Sequence, residues 1–217
     1  LKTGKSELIL SIADIAKFGK LSPDMKGAKH YFNHLLYNPD GSRFIFLHRW
    51  RPDGGKKGFR TRMLTATPEG KDLAVVDPSG HTSHFIWRDP KHILAWTRPK
   101  GQSSGYYLFT DKTNKWEQIG KGVMPRNGHC TYLPGNEWIL NDTYPDKNRL
   151  QHPFLFHVKT KKRVPLGHFY LPKEYRGEWR CDTHPRFSRD GRLVVIDSPH
   201  KKQGRQLHLI DISEIVG

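Results

Sequence analysis

Histidine serves both proton transfer near neutral pH and ligation of a divalent transition ion, and this sequence places four histidines at one recurring register. His34, His84, His129 and His184 are each followed three residues later by an aromatic ring (Tyr37, Trp87, Tyr132 or Phe187) and then by a turn of Pro, Asp or Gly. Their successive spacings are 50, 45 and 55 residues, an internal repeat of the length seen in propellers and solenoids. A repeat that keeps a polar, metal-competent side chain at one position is building a site as well as a core. Imidazoles joined by a thiolate or carboxylate suit a divalent ion. By position, His129 and His184 are the first ligand candidates. Cys181, in the loop before His184, and His200, beyond it, are the weaker ones. Strand alternation puts Cys181 and His184 on opposite faces, so Cys181 can ligate only if the loop bends there. Without a metal, the same residues form an anion-binding basin.

The elements that must position these residues are short and β-rich. Turn clusters interrupt apolar or alternating runs about every ten residues, and helix signals are scarce. The first full unit reads as strands at 33–37, 43–50, 60–66 and 72–76, and the second as 83–87, 92–97, 106–110 and 116–120. The third reads as 129–132, 138–143, 154–158 and 163–167, and the last as 184–187, 192–197, 206–211 and 214–216. Four strands per unit is the pattern of a β-propeller blade. The expected fold is therefore all-β, a propeller of four-stranded antiparallel blades in one domain. Its units are 28–78, 79–123, 124–177 and 178–217, with 1–27 as linker and the end of a preceding blade. Leu1–Ile12 reads as the outer strand of that earlier blade, so about four and a half blades are expected, a fragment of a larger ring of about seven.

Composition narrows the partners. The 217 residues carry 37 Lys plus Arg against 21 Asp plus Glu, a formal charge of +16, which favours an anionic partner. No apolar run is long enough to span a bilayer and no basic amphipathic helix is present, so a membrane partner is not expected. The aromatics three residues after each histidine face away from it and pack between blades, which argues against nucleic acid. The first residues lack the order of a signal peptide; a periplasmic or secreted setting is favoured, and the oligomeric state is open. Cys130 and Cys181 are the two cysteines, compatible with a cross-blade disulfide, a thiolate ligand or two unrelated thiols.

In a blade, the first strand lines the central channel and the second returns to the same rim. The four histidines should therefore converge at one rim, joined by the second-strand exits His48-Arg49-Trp50-Arg51, Thr97-Arg98, Asp142-Thr-Tyr144 and Asp197-Ser-Pro-His200, and by the incoming loops with Arg126 and Arg180-Cys181-Asp182. With Asn33-His34, Leu47-His48-Arg49-Trp50, Ser83-His84-Phe85, Gly128-His129, Asn141-Asp-Thr-Tyr-Pro-Asp146 and Arg180-Cys-Asp-Thr-His-Pro185 in hand, the chain resembles the β-propeller polysaccharide lyases. Within these it is similar to the oligogalacturonate lyases and the related ulvan-type lyases, and its Pro39-Asp-Gly41 and Arg189-Asp-Gly191 turns are shared with non-enzymatic TolB-like propellers.

The resemblance implies a metal-assisted β-elimination of a uronate-containing acidic oligosaccharide. His84 matches the base, His129 the first metal ligand and His184 a second. Where that family carries a Gln-x-x-His-x-His cluster, this chain reads Cys181-Asp-Thr-His184-Pro-Arg186, which leaves the ion open between manganese and zinc. Arg49, Arg51, Arg98 and Arg126 are the expected carboxylate clamps, Tyr144 or His48 the proton donor, and His34 a substrate contact or a structural residue. The competing expectation is a non-catalytic propeller that binds an anionic glycan or a protein.

Overall fold

The computed structural model describes residues 4–55 and 58–217, and four sheets succeed one another along the chain. The first holds β1 (Lys29–Tyr37), β2 (Phe44–Arg51), β3 (Arg60–Ala66) and β4 (Ala74–Gly80); the second holds β5 (Phe85–Asp89), β6 (His92–Thr97), β7 (Gly105–Thr110) and β8 (Trp116–Ile119). The third is built from β9 (Thr131–Tyr132), β10 (Trp138–Asn141), β12 (Phe154–His157) and β13 (Arg163–Pro165), with β11 (Leu150–Gln151) and β14 (Phe169–Tyr170) paired beside it as a ribbon. The fourth has three strands, β15 (Arg186–Phe187), β16 (Leu193–Ser198) and β17 (Gln206–Asp211). All named strand pairs are antiparallel neighbours.

The second strands carry apolar runs, such as Phe44–Leu47 in β2 and Ile93–Ala95 in β6, because both of their faces are buried there. In β2, Ile45 and Leu47 face the second blade, where they meet Trp87, Ile93 and Tyr107. Phe44 and Phe46, one residue out of phase, face the other way and pack with Leu10, Ile15 and Phe18. Leu94, Tyr106 and Leu108 then meet Tyr132, Ile139 and Phe156 of the third blade, and Leu140 and Leu155 meet Val194 and Ile196 of the fourth. The core is thus a row of inter-blade layers, each set by the period-2 alternation of the strands on either side.

Two expectations at the ends of the chain need correction. Leu1–Thr3 lie outside the described residues, and residues 4–11 form no strand; they lead into a single helical turn, α1 (Ile12–Ile15), capped by the Ser11 side chain. Residues 214–216 are not a fourth strand but part of α2 (Ser213–Val216). The Asp211 carboxylate accepts from the Ser213 N–H at 2.9 Å and from its hydroxyl at 2.6 Å, a local side-chain bond that starts a turn rather than continuing a ladder.

The segment carrying α1 is tied to the first blade by a polar chain that also settles the role of His48. Arg62 donates to the backbone oxygens of Phe18 (2.8 Å) and Ile15 (2.6 Å), and its Nε donates to His48 Nδ1 (2.9 Å). A guanidinium only donates, so the His48 proton is on Nε2, which donates to His30 Nδ1 at 2.9 Å; His30 Nε2–H in turn reaches the Met25 carbonyl at 3.0 Å. His48 is fully buried and is a structural relay, neither a proton donor to substrate nor a substrate contact. Its position inside β2, paired with Arg62 of β3, takes it out of reach of solvent.

Burial, then the Arg62 charge, pushes the His48 imidazolium down from 6.5 to about 3. The folded state therefore refuses a proton that the unfolded state accepts, so this contribution is intact above pH 6.5 and is lost as pH falls toward 3. Going from pH 7 to pH 5 should lower stability by about 2 kcal/mol through this residue. Urea unfolding at the two pH values checks it. His48→Gln should flatten the difference by that amount, and an unchanged pH dependence in the variant would exclude His48 as its source.

Candidate functional site

The four in-register histidines form a continuous row across the blades. Ring centroids are 6.4 Å apart from His34 to His84, 4.3 Å from His84 to His129 and 3.7 Å from His129 to His184. Two of them sit at left-handed backbone, with φ of 52° at His34 and 38° at His184, a conformation that costs a residue with a Cβ energy and clusters at functional positions. At His34 it coincides with a break in the β1–β2 register between Asn33 and Leu36.

At the third-to-fourth blade junction, His129, Asp182 and His184 each present one donor atom, all within 4.8 Å of one another. Asp182 is 5% exposed, and its Oδ1 is buried without a hydrogen-bond partner, while Oδ2 takes a 2.8 Å ion pair from Arg180. A buried carboxylate oxygen without a partner is costly, and a set of two His and one Asp fits a catalytic divalent site. This set corrects two candidates. Cys181 is fully buried and turns toward Asp197 instead; burial, then the hydrogen bond to Asp197, raises its thiol to about 12, keeping it protonated. In an extended loop, residue 182 shares a face with 184 and residue 181 does not, which is the signal that could have found Asp182. His200 lies elsewhere, its ring 5.0 Å from Phe169 and 4.3 Å from His208, with Nδ1 3.0 Å from the Ser198 hydroxyl. The chain leaving β16 carries it toward the outer strands. Cys130 and Cys181 are both free and buried.

Asp142 holds this cluster together. Its carboxylate receives the His129 backbone N–H at 2.6 Å, His129 Nδ1 at 3.0 Å and the Thr183 hydroxyl at 2.6 Å. It therefore fixes the His129 ring with Nε2 outward and also fixes the loop between Asp182 and His184. Burial by itself would raise the Asp142 carboxyl, but the hydrogen bonds from His129 and Thr183 outweigh it and the net shift is downward. The approach needs Gly128: a Cβ there would stand 1.9 Å from the Asp142 carbonyl oxygen. A carboxylate behind a ligating imidazole raises its basicity and locks its tautomer. Asp142→Asn is expected to weaken divalent-metal binding about 10- to 100-fold, read by calorimetric titration with Mn²⁺ and Zn²⁺; unchanged affinity would dismiss the positioning role.

His84 is oriented from the opposite side. The side-chain amide of Asn127 donates to the Ser83 hydroxyl at 3.2 Å, so its oxygen faces His84 Nδ1 at 2.9 Å and accepts the hydrogen bond of Nδ1–H. Nε2 is left as a lone pair, 3.4 Å from the Tyr144 hydroxyl. Burial, partly offset by the bond to Asn127, pulls His84 down to about 4; at neutral pH it is an unprotonated acceptor. Tyr144 is held protonated by burial and the nearby Asp182 charge, and the Arg180 guanidinium lies 5.1 Å over its ring. Arg49 reaches the row from β2. Its charge contributes, after burial, to lowering His34; its guanidinium stacks 4.7 Å over Phe59, and its Nε is buried with no partner. Burial is also the first cause of the lowered His184.

The remaining arginines do not join the row. Arg51 lies exposed over the Tyr31 ring at 5.8 Å, two residues further along β2. Arg98 is exposed and hydrogen-bonded to His81 at 2.6 Å in a cleft between the first two blades, because the chain leaving β6 turns outward there. Arg126 lines a separate cleft on the third blade. From sequence all three are expected at the rim; Arg51 instead lies over Tyr31, and Arg98 and Arg126 line clefts away from the row.

Comparison with known proteins bears on the fold. No protein-family model matches the chain, and no curated protein matches it. Among solved structures, TolB from Acinetobacter baumannii aligns with a TM-score of 0.54 at 10% identity, covering 85% of this chain and 52% of that one. An acylaminoacyl peptidase from Pyrococcus horikoshii aligns with a TM-score of 0.53 at 10% identity over 83% of this chain and 31% of its own. The β-propeller domain of the Trilobed protease from Pyrococcus furiosus gives 0.50 at 13% identity over 85% and 59%. The chain thus spans about half the length of TolB and of that propeller domain. At these identities the likeness is one of fold: the chain is a β-propeller module built of antiparallel blades.

Proposed function

We propose that the histidine row is the active site of a metal-assisted lyase that cleaves uronate-containing glycans by β-elimination. The observation that carries the reading is the His129–Asp182–His184 cluster with its orphaned, buried Asp182 Oδ1, one blade away from an unprotonated His84 Nε2. His129, Asp182 and His184 would hold a divalent ion, which would supply positive charge near the substrate carboxylate, where negative charge builds as the neighbouring C5 proton leaves.

The protein's own groups do the rest. His84 takes the C5 proton at Nε2 while its Nδ1–H stays hydrogen-bonded to the Asn127 oxygen; the C4–C5 double bond forms as the C4–O bond breaks, and the Tyr144 hydroxyl gives a proton to the departing oxygen. Arg49, whose charge is felt at His34, is the clamp for the carboxylate, since guanidinium and carboxylate match in a planar fork.

The excess of positive charge supports an anionic ligand in either case. A second reading, a propeller that binds an acidic glycan without cleaving it, is favoured by one observation: a base held down at about 4 has little driving force for taking a carbon-bound proton. Two measurements on the full chain separate them. Elemental analysis and titration should find one Mn²⁺ or Zn²⁺ per chain, and incubation with pectic, ulvan-like and glucuronan fragments should produce the ultraviolet absorbance of an unsaturated uronate. Metal and binding without that absorbance select the non-catalytic reading; neither metal nor binding dismisses both.

A further inference from the structure

On the third blade, outside the histidine row, lies a second cleft of about 560 Å³. Arg126, Asp146, His152, Phe154, Arg163 and His168 line it. Four of these six side chains can carry positive charge. Among the described residues neither Arg126 nor Arg163 is paired with a carboxylate. The Arg163 guanidinium carbon sits over the Phe154 ring, 4.0 Å from its centroid, a cation–π contact that does not use up its N–H donors. Arg126 and Arg163 line the same cleft, and burial, then the charge of Arg126, lowers Arg163 from its usual value.

The only acid of the cleft is already engaged. Asp146 accepts from the backbone N–H groups of Asn148 (2.8 Å) and Leu150 (2.9 Å) and from His152 Nε2 at 3.1 Å. With that proton on Nε2, His152 Nδ1 must accept, and it does so from His168 Nδ1–H at 2.6 Å. His168 Nε2 is then left to the cleft. The backbone N–H of His152 bonds the Thr143 hydroxyl at 3.2 Å, and Thr143 lies between Asp142 and Tyr144, so one strand exit serves both the cleft and the histidine row.

We propose that this cleft is a second anion subsite, holding the carboxylate of another uronate residue of the same glycan chain whose reacting uronate occupies the histidine row. Its ligand class rests on the lyase reading above, whereas its geometry does not. Two unpaired arginines in one cleft, one of them over an aromatic face, are a bidentate carboxylate receptor, and a connected second subsite would give the protein a preference for polyuronates over single acidic sugars.

The test is ¹⁵N-labelled full-length chain titrated with glucuronate, with glucose and sodium chloride as controls at matched ionic strength and inorganic sulfate as a competitor, observed at imidazole resonances assigned through His152→Gln and His168→Gln. Saturable shifts at His152 and His168 with glucuronate are expected. The exposed double variant Arg126→Gln/Arg163→Gln should weaken them roughly tenfold or more. Absence of saturable shifts, no weakening in the double variant, or sulfate binding as tightly as glucuronate would each overturn the uronate subsite. The two proposals fail separately. A response at His152 and His168 with His84 silent leaves the subsite standing and removes the lyase reading; the reverse removes the subsite alone.

Discussion

His84→Ala should lower formation of the unsaturated uronate by about 10²- to 10⁴-fold, the usual contribution of a positioned general base. The expectation rests on the direction of the ring. The Asn127 side-chain oxygen accepts the Nδ1–H hydrogen bond at 2.9 Å, and the other nitrogen meets the Tyr144 hydroxyl at 3.4 Å, which places a proton acceptor and a proton donor side by side. A merely structural His84 would also lower activity when removed, so the second readout is rescue: added imidazole should restore part of the rate in His84→Ala and none in Asn127→Ala, where the ring persists but its tautomer is unfixed. Initial rates on a glycan that the parent chain cleaves decide the matter. A variant that keeps the parent rate would remove His84 from the chemistry.

How far the sequence reveals this site depends on the kind of constraint involved. The four histidines are legible because strand periodicity and turn chemistry repeat them at one register, and a blade can direct that register only toward the channel. His48 looks equally suitable in sequence, between Leu47 and Arg49 at a strand end. What removes it from the site is Arg62, its partner across β2 and β3, a contact that depends on pairing rather than spacing. Asp182 is hidden by its neighbours: the thiol of Cys181 draws attention as a soft ligand, yet the extended chain gives residues 182 and 184 a common face. Asp142 and Asn127 act only through other side chains, and such second contacts leave no local pattern. The helix at Ser213–Val216 is hidden for a similar reason, since the tripeptide Glu214–Val216 after Asp-Ile-Ser reads as strand until its Ile215 and Val216 are seen against the fourth blade's core.

The largest expected effect on stability lies far from the site. Arg43, 8% exposed, donates from Nε to Asp111 at 2.7 Å, from Nη1 to Asp72 at 2.8 Å and from Nη2 to the Thr65 hydroxyl at 2.8 Å and the Asp72 carbonyl at 2.9 Å. Asp111, 9% exposed, belongs to the second blade and also accepts from Thr65 at 2.8 Å. One guanidinium thus joins the start of β2, the end of β3 and the turn after β7. Arg43→Met would keep the apolar stem but leave the Asp111 carboxylate buried without its partner, at a cost of about 3–5 kcal/mol. Replacing both, Arg43→Met with Asp111→Leu, should recover most of that loss, because the desolvation penalty disappears together with the attraction. Blades contact chiefly their neighbours, so stability approximates a sum of blade and interface contributions, and weakening one interface should split a single unfolding transition. Urea melts followed at two probes, Trp50 in the first blade and Trp138 in the third, should coincide in the parent chain and separate in Arg43→Met. A single variant costing under about 1 kcal/mol, as an exposed pair would, would mean that this pair is not the bond between the first two blades.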